Sequence, residues 1–139
     1  MSDNGHILVV DDQKEICDVV QEYLTGEGYR VSTASDGGGM RRVLGQSHVD
    51  LVILDLMLGE SMAGMEFRLQ QLLDSQLASV PTIVITASDV SLSDRVPLHP
   101  EGWLEKPFRF DTLLELVKRY VIAESSGLMS DQASDQQQP

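Results

Sequence analysis

The sequence predicts an α/β protein: a doubly wound, five-stranded parallel sheet with helices on both faces. Three observations predict it. Short apolar runs alternate along the chain with stretches at helical spacing. Those runs are continuous, the pattern of strands buried on both faces of a parallel sheet. The order βαβαβαβαβα, joined by right-handed crossovers, leaves a doubly wound sheet as the economical arrangement. With 139 residues and 42% apolar content, the chain is sufficient for one such core.

Each element has its own warrant. "HILVVDD" reads as the first strand. Ile16, Val19, Val20, Tyr23 and Leu24 then mark one face of a helix, which "GEGY" ends. "YRVSTAS" is the second strand. A weak helix is expected over residues 40–44, because "GGG" at 37–39 disfavours a longer one. "VDLVILDLML" is the third strand, and Met65, Leu69, Leu72 and Leu73 mark the apolar face of the next helix. "VPTIVITAS" is the fourth strand, with Pro81 just before its pairing region. Residues 90–98 make a poor helix, cut short by Pro97 and Pro100. "GWLEKPF" is a short fifth strand. Asp111 is the expected N-cap of a last helix carrying Leu113, Leu114, Val117, Tyr120 and Val121.

Charge and composition narrow the function. A net charge of -12 and a pI near 4.4 argue against a phosphate-backbone footprint on nucleic acid and against docking on an anionic membrane. The single cysteine, Cys17, precludes an internal disulfide and sits in a helical pattern as a small core residue. The N-terminus carries no apolar signal core, and no run approaches the ~20 residues of a membrane span. A reduced, cytoplasmic location is the expectation. The domain is expected over residues 5–123. Residues 124–139, lacking Lys and Arg and rich in Ser, Gln and Asp, read as a flexible tail or linker.

The strand ends carry the chemistry. The first ends at Asp11 and Asp12, the third at Asp55, the fourth at Thr86 and the fifth at Lys106. In such sheets ligands sit beyond the carboxyl ends of the strands. Three carboxylates there repel one another unless a cation joins them. The set holds only oxygen donors, which suits Mg²⁺ and not zinc; His6, His48 and His99 are scattered and are expected at the surface. Asp55 is placed to act as a nucleophile toward phosphorus, Lys106 as a point charge for a phosphate oxygen, and Thr86 as a hydrogen-bond donor to it. Taken singly, each residue has a plainer role: a turn or capping Asp, a solvated Lys, a Thr favoured by the strand. Their joint occurrence at four strand ends separates the two accounts.

This set resembles the receiver domain of two-component response regulators. The resemblance covers nearly all of residues 5–123 and implies the (βα)5 flavodoxin-like fold with strand order 2-1-3-4-5. "VVDD" is similar to the family's acidic pair, so the resemblance assigns Mg²⁺ to Asp11, Asp12, Asp55 and the backbone carbonyl of Met57. It makes Asp55 in "LVILDLML" the phosphoacceptor, Thr86 in "VITAS" the switch hydroxyl, and Lys106 in "LEKPF" the third catalytic residue, with a cis Lys106–Pro107 bond. Trp103 takes the aromatic switch position, where Tyr or Phe is usual. The implied partners are a histidine kinase or histidine phosphotransfer protein and a downstream effector, with no nucleic acid or membrane bound by this domain. The receiver would catalyse only its own phosphorylation and dephosphorylation, and phosphorylation would alter the face built from the fourth helix, fifth strand and fifth helix.

The chain also departs from the family. After the phosphoacceptor strand, "LGESMAGMEF" lacks the usual Pro, has Ala63 in place of an Asp, and is about one residue long. Two other functions stay open at this stage. One is a pseudo-receiver that binds proteins without phosphorylation, which the complete Asp11, Asp12, Asp55, Thr86 and Lys106 set speaks against. The other is a Mg²⁺-dependent phosphatase with an Asp nucleophile; such enzymes place a second acid two residues on, where this chain has Met57.

Overall fold

Five strands, three of them dominated by Val, Ile and Leu, pair in parallel in a computed structural model that describes residues 4–58, 63–87 and 98–121. They are β1 (His6–Val10), β2 (Arg30–Ala34), β3 (Leu51–Asp55), β4 (Thr82–Thr86) and β5 (Gly102–Glu105), in the expected order β2-β1-β3-β4-β5. Every residue of β1, β3 and β4 is buried, which is why these strands read as unbroken apolar runs. In register, Val10 lies beside Leu54, Asp55 beside Ile85, and Thr86 beside Glu105. The strands therefore end nearly level, and whatever follows them shares one edge.

Four helices are described: α1 (Lys14–Gly26), α2 (Gly37–Gln46), α3 (Ala63–Leu73) and α4 (Phe110–Tyr120). Cys17, Val20 and Leu24 of α1 pack with Leu113 and Val117 of α4 on one face of the sheet, over Ile7, Val9, Ile53 and Ile85. Met40 of α2 and Phe67 of α3 cover the other face, over Leu8, Val10, Val52 and Leu54. A third, smaller cluster joins Leu56, Val84 and Leu98, with Met65 and Trp103 packed against it.

Several local expectations are corrected. Val19 stands 46% exposed, so the buried stripe of α1 runs through Cys17 instead. Its end is as expected: Gly28 takes φ 99, and the amides of Gly28 and Tyr29 close on the carbonyls of Thr25 and Leu24. The second helix is longer than expected, starting within the glycines because the Asp36 carboxylate caps it through the Gly39 amide at 2.8 Å. On α3 the predicted face is rotated: Gly64, Arg68 and Gln71 are buried, whereas Leu69 and Leu73 are 38% and 88% exposed. Its register follows Gly64, where a Cβ would lie 2.0 Å from the Asp55 carbonyl oxygen; only glycine lets the helix sit so close to the end of β3. Asp111 is not the N-cap. Arg109 is, and Asp111 lies in the first turn of α4, held by the Arg109 guanidinium. His6, expected at the surface, is buried at the far end of the sheet between the His48 carbonyl and the Ser32 hydroxyl. The weak helix read over residues 90–98 falls outside the described residues apart from Leu98, as do the loop at 59–62 and the expected tail.

Gly64→Ala is expected to destabilise the fold by about 1–3 kcal/mol, the range for overpacking against unyielding backbone. Gly45→Ala in α2, where a Cβ meets nothing within 4 Å, is expected to be stabilising by up to about 1 kcal/mol. Urea denaturation of the two variants measures the contrast; similar midpoints would refute the tight seat of α3.

Candidate functional site

The site stands at the carboxyl edge of the three central strands and β5. Asp11 follows β1, its amide donating to the Ala34 carbonyl at 3.0 Å, and its carboxylate is almost wholly buried. Asp12, next along, is exposed. Asp55 is the last residue of β3, the middle strand of the order, and is also buried. One carboxylate oxygen from each of Asp11, Asp12 and Asp55 lies within 4.8 Å of the others. Lys106 enters from beyond β5. Its ammonium donates to Asp55 Oδ2 at 2.7 Å and to Asp11 Oδ2 at 3.3 Å. Its amide donates to the Thr86 carbonyl at 3.0 Å, and the Lys106–Pro107 bond is cis, as expected.

The remaining oxygens are also engaged. Asp55 Oδ1 accepts from the Met57 amide and Asp11 Oδ1 from the Gln13 amide, both at 2.9 Å. Thr86 is buried at the end of β4, and its hydroxyl donates to the Ala87 carbonyl at 3.0 Å. Trp103 lies lower on β5, opposite Val84, and is partly buried in the third cluster. The structure thus brings Asp11, Asp12, Asp55 and Lys106 into one cluster, with Thr86 on the adjoining strand end. Trp103 is two residues back along β5 from the level of Thr86. Met57 follows with its side chain 47% exposed. Gln13 escaped the sequence reading: its Oε1 accepts from Lys106 Nζ at 3.3 Å. Only its place directly after the acidic pair hinted at this.

Burial pushes the Asp11 carboxyl up from 3.8; the Gln13 amide works against this, Asp55 adds to it, and Lys106 opposes it. Burial would lower the Lys106 ammonium, but the hydrogen bond to Asp55 and the charges of Asp55 and Asp11 outweigh it and hold it above 10.5. Three carboxylates against one ammonium leave an excess of negative charge in a partly dry pocket. The donors are all hard oxygens, one carboxylate is open to solvent, and the set is compact, so the residues fit a hard divalent cation such as Mg²⁺.

A family model described as the response regulator receiver domain matches residues 7–118. The transcriptional regulatory protein GltR of Pseudomonas aeruginosa is 37% identical over 124 residues, covering 85% of this chain and 50% of GltR. The response regulator SaeR of Staphylococcus epidermidis is 34% identical over 105 residues, 74% of this chain and 44% of SaeR. The chain therefore spans about half the length of these curated relatives or less. Among solved structures, the response regulator TrrA of Thermotoga maritima, in complex with Mg²⁺-BeF, aligns with a TM-score of 0.73 at 31% identity, covering 84% of this chain and 99% of that one. The chemotaxis response regulator CheY4 of Vibrio cholerae aligns at 0.75 and 28% identity, covering 84% and 98%. No helix among the described residues is long and apolar enough to cross a membrane.

Asp11→Asn removes one of the repelling charges. Because the folded chain holds Asp11 above 3.8, its contribution to stability is present below that value and is lost as pH rises through the raised one. In metal-free buffer the variant is expected to melt a few degrees higher than the parent at neutral pH, on the order of 1 kcal/mol, with the gain vanishing in acid. Thermal melts across pH without divalent cation test this, and an unchanged or lower Tm at neutral pH would count against it.

Proposed function

Because the chain belongs to the response regulator receiver family, we propose that it is a phosphoacceptor switch in which Asp55 takes a phosphoryl group from a histidine kinase or a histidine phosphotransfer protein. The carrying observation is the Asp55 carboxylate at the centre of the sheet edge, 2.7 Å from the Lys106 ammonium and beside two further carboxylates. Asp11, Asp12, Asp55 and the Met57 carbonyl would hold Mg²⁺. When bound, that ion neutralises charge on the phosphoryl oxygens.

A carboxylate oxygen of Asp55 attacks phosphorus in line with the histidine nitrogen of the donor. The P–N bond breaks as the P–O bond forms, and the imidazole departs with the electron pair, to be protonated from solvent. Positioning and charge supply most of the catalysis in such transfers, which is the work Lys106 is placed to do. Both Asp55 oxygens accept hydrogen bonds, from the Met57 amide and from Lys106, so the carboxylate is already oriented. Attack by water on phosphorus releases inorganic phosphate and restores the carboxylate. The protein thus catalyses only its own phosphorylation and dephosphorylation.

The response begins at Thr86. Among the described residues its hydroxyl donates to the neighbouring Ala87 carbonyl, and a phosphoryl oxygen is the stronger acceptor. As Thr86 turns, Trp103 moves into the space released, and the surface of β5 and α4 changes. Phosphate binds one of two arrangements better and shifts the population between them. A downstream effector, on the same polypeptide or a separate one, reads that surface in the cytoplasm.

With acetyl phosphate and Mg²⁺, the protein is expected to gain the mass of one phosphoryl group and Asp55→Asn to gain none. Trp103 is the single tryptophan, so its emission should change on adding beryllofluoride with Mg²⁺. Intact-mass spectra and fluorescence titration check both. Equal mass gain in the Asp55→Asn variant would refute the assignment, and no gain in either protein would favour a phosphorylation-independent binding module.

A further inference from the structure

The buried face of α3 is polar where the sequence led one to expect leucines. Gly64, Arg68 and Gln71 form it, and Arg68 is only 1% exposed. A guanidinium so placed needs acceptors for a rigid fork of donors. Arg68 Nε donates to the Leu98 carbonyl and one terminal nitrogen to the His99 carbonyl, each at 2.8 Å. The other terminal nitrogen donates to Gln71 Oε1 at 2.9 Å, and Glu101 lies 4.0 Å away. Gln71 in turn donates to the Leu77 carbonyl and the Thr82 hydroxyl, at 3.1 and 3.0 Å. Glu101 accepts from the Thr82 amide at 2.7 Å.

Leu98, His99 and Glu101 belong to the chain entering β5 and Thr82 to the base of β4, while Gln71 lies on α3 itself and Leu77 in the turn that follows it. His99 stands at φ 42, a left-handed conformation unfavourable for a residue with a Cβ, and its carbonyl is one of those gripped. Leu98, the other, packs its side chain with Leu56 and Val84, against which Trp103 also rests. At its N-terminal end, α3 is seated on β3. Gly64 abuts the Asp55 carbonyl, and the Met65 amide donates to the Leu56 carbonyl at 3.3 Å. One helical turn separates Gly64 from Arg68.

We propose that Arg68 is a positioning residue for the phosphorylation response: it fastens the chain entering β5, and with it Trp103, to the helix seated beside Asp55. This rests on the phosphoacceptor reading above and adds a second link beside Thr86 between Asp55 and the responding surface. A lysine cannot reproduce it, because a point charge lacks the fork that reaches two successive carbonyls and Gln71 together. Arg68 touches no reacting atom, so the chemistry at Asp55 proceeds without it.

The test compares Arg68→Met, Arg68→Lys and the parent protein. With acetyl phosphate and Mg²⁺, both variants are expected to gain the phosphoryl mass. On addition of beryllofluoride with Mg²⁺, the Trp103 emission change is expected to be lost in Arg68→Met and reduced in Arg68→Lys. An emission change in Arg68→Met equal to the parent's overturns the proposal while leaving the phosphoacceptor reading intact. Absence of mass gain in the parent overturns that reading, and the proposal with it. Should the variants fail to fold, the Arg68 Nε–H resonance of the parent decides. It is expected to exchange slowly and to shift with beryllofluoride and Mg²⁺; rapid exchange or an unmoved signal overturns the link.

Discussion

Two buried carboxylates from different strands share one ammonium, and the site depends on that arrangement. Asp11 and Asp55 would each be costly to bury alone and costlier together. Lys106 lies between them at 3.3 and 2.7 Å and offsets part of the repulsion, without matching three negative charges. The residual imbalance suits the pocket to a hard divalent cation. Stability and function are opposed at this point: a sheet edge optimised only for folding would not carry this charge.

The parallel sheet supplies the geometry. Because β1, β3 and β4 are buried on both faces, their registers are set by packing, and the residues following them arrive at fixed positions. Lys106 is bound by the same rule, with its amide on the Thr86 carbonyl tying the end of β5 to the end of β4. The site inherits its precision from the core beneath it.

The strands were legible in the sequence for the same reason. Full burial writes a continuous apolar run in β1, β3 and β4, and the polar residue that interrupts each run, a carboxylate or Thr86, marks its end. Asp11, Asp12, Asp55 and Thr86 could be read in this way, and Lys106 from its place after the short, partly exposed β5. The helices were less legible because each must satisfy several neighbours. Val19 fits the apolar periodicity of α1 yet faces out, and Cys17 takes the inner place, its thiol reaching the Asp11 carbonyl at 3.2 Å. Asp111 has the chemistry of a cap, but Arg109 takes the cap position and pairs with its carboxylate within the first turn. In α3, Leu69 and Leu73 match the pattern of a buried stripe, while the seat of Gly64 on the Asp55 carbonyl rotates the helix away from them. Periodicity registers apolar residues and is blind to a buried arginine whose partners are carbonyls distant in sequence.

Arg68 therefore bears on what sort of interior this is. Apolar side chains at positions 68 and 71 would pack α3 against β4 without the cost of desolvating a guanidinium, and such replacements are often neutral or stabilising elsewhere. What leucines would not do is hold particular carbonyls. Packing is tolerant of small slides, whereas a forked donor bound to two successive carbonyls and to a fixed amide admits one placement. The chain entering β5 includes a left-handed His99 and leads directly to Trp103, so its placement bears on how that tryptophan lies. The switch proposed above needs two defined states more than it needs maximal stability. A polar pin beneath β5 would serve that need, and the exposure of Leu69 and Leu73 on the outer face of α3 is the structural consequence of turning its polar side inward.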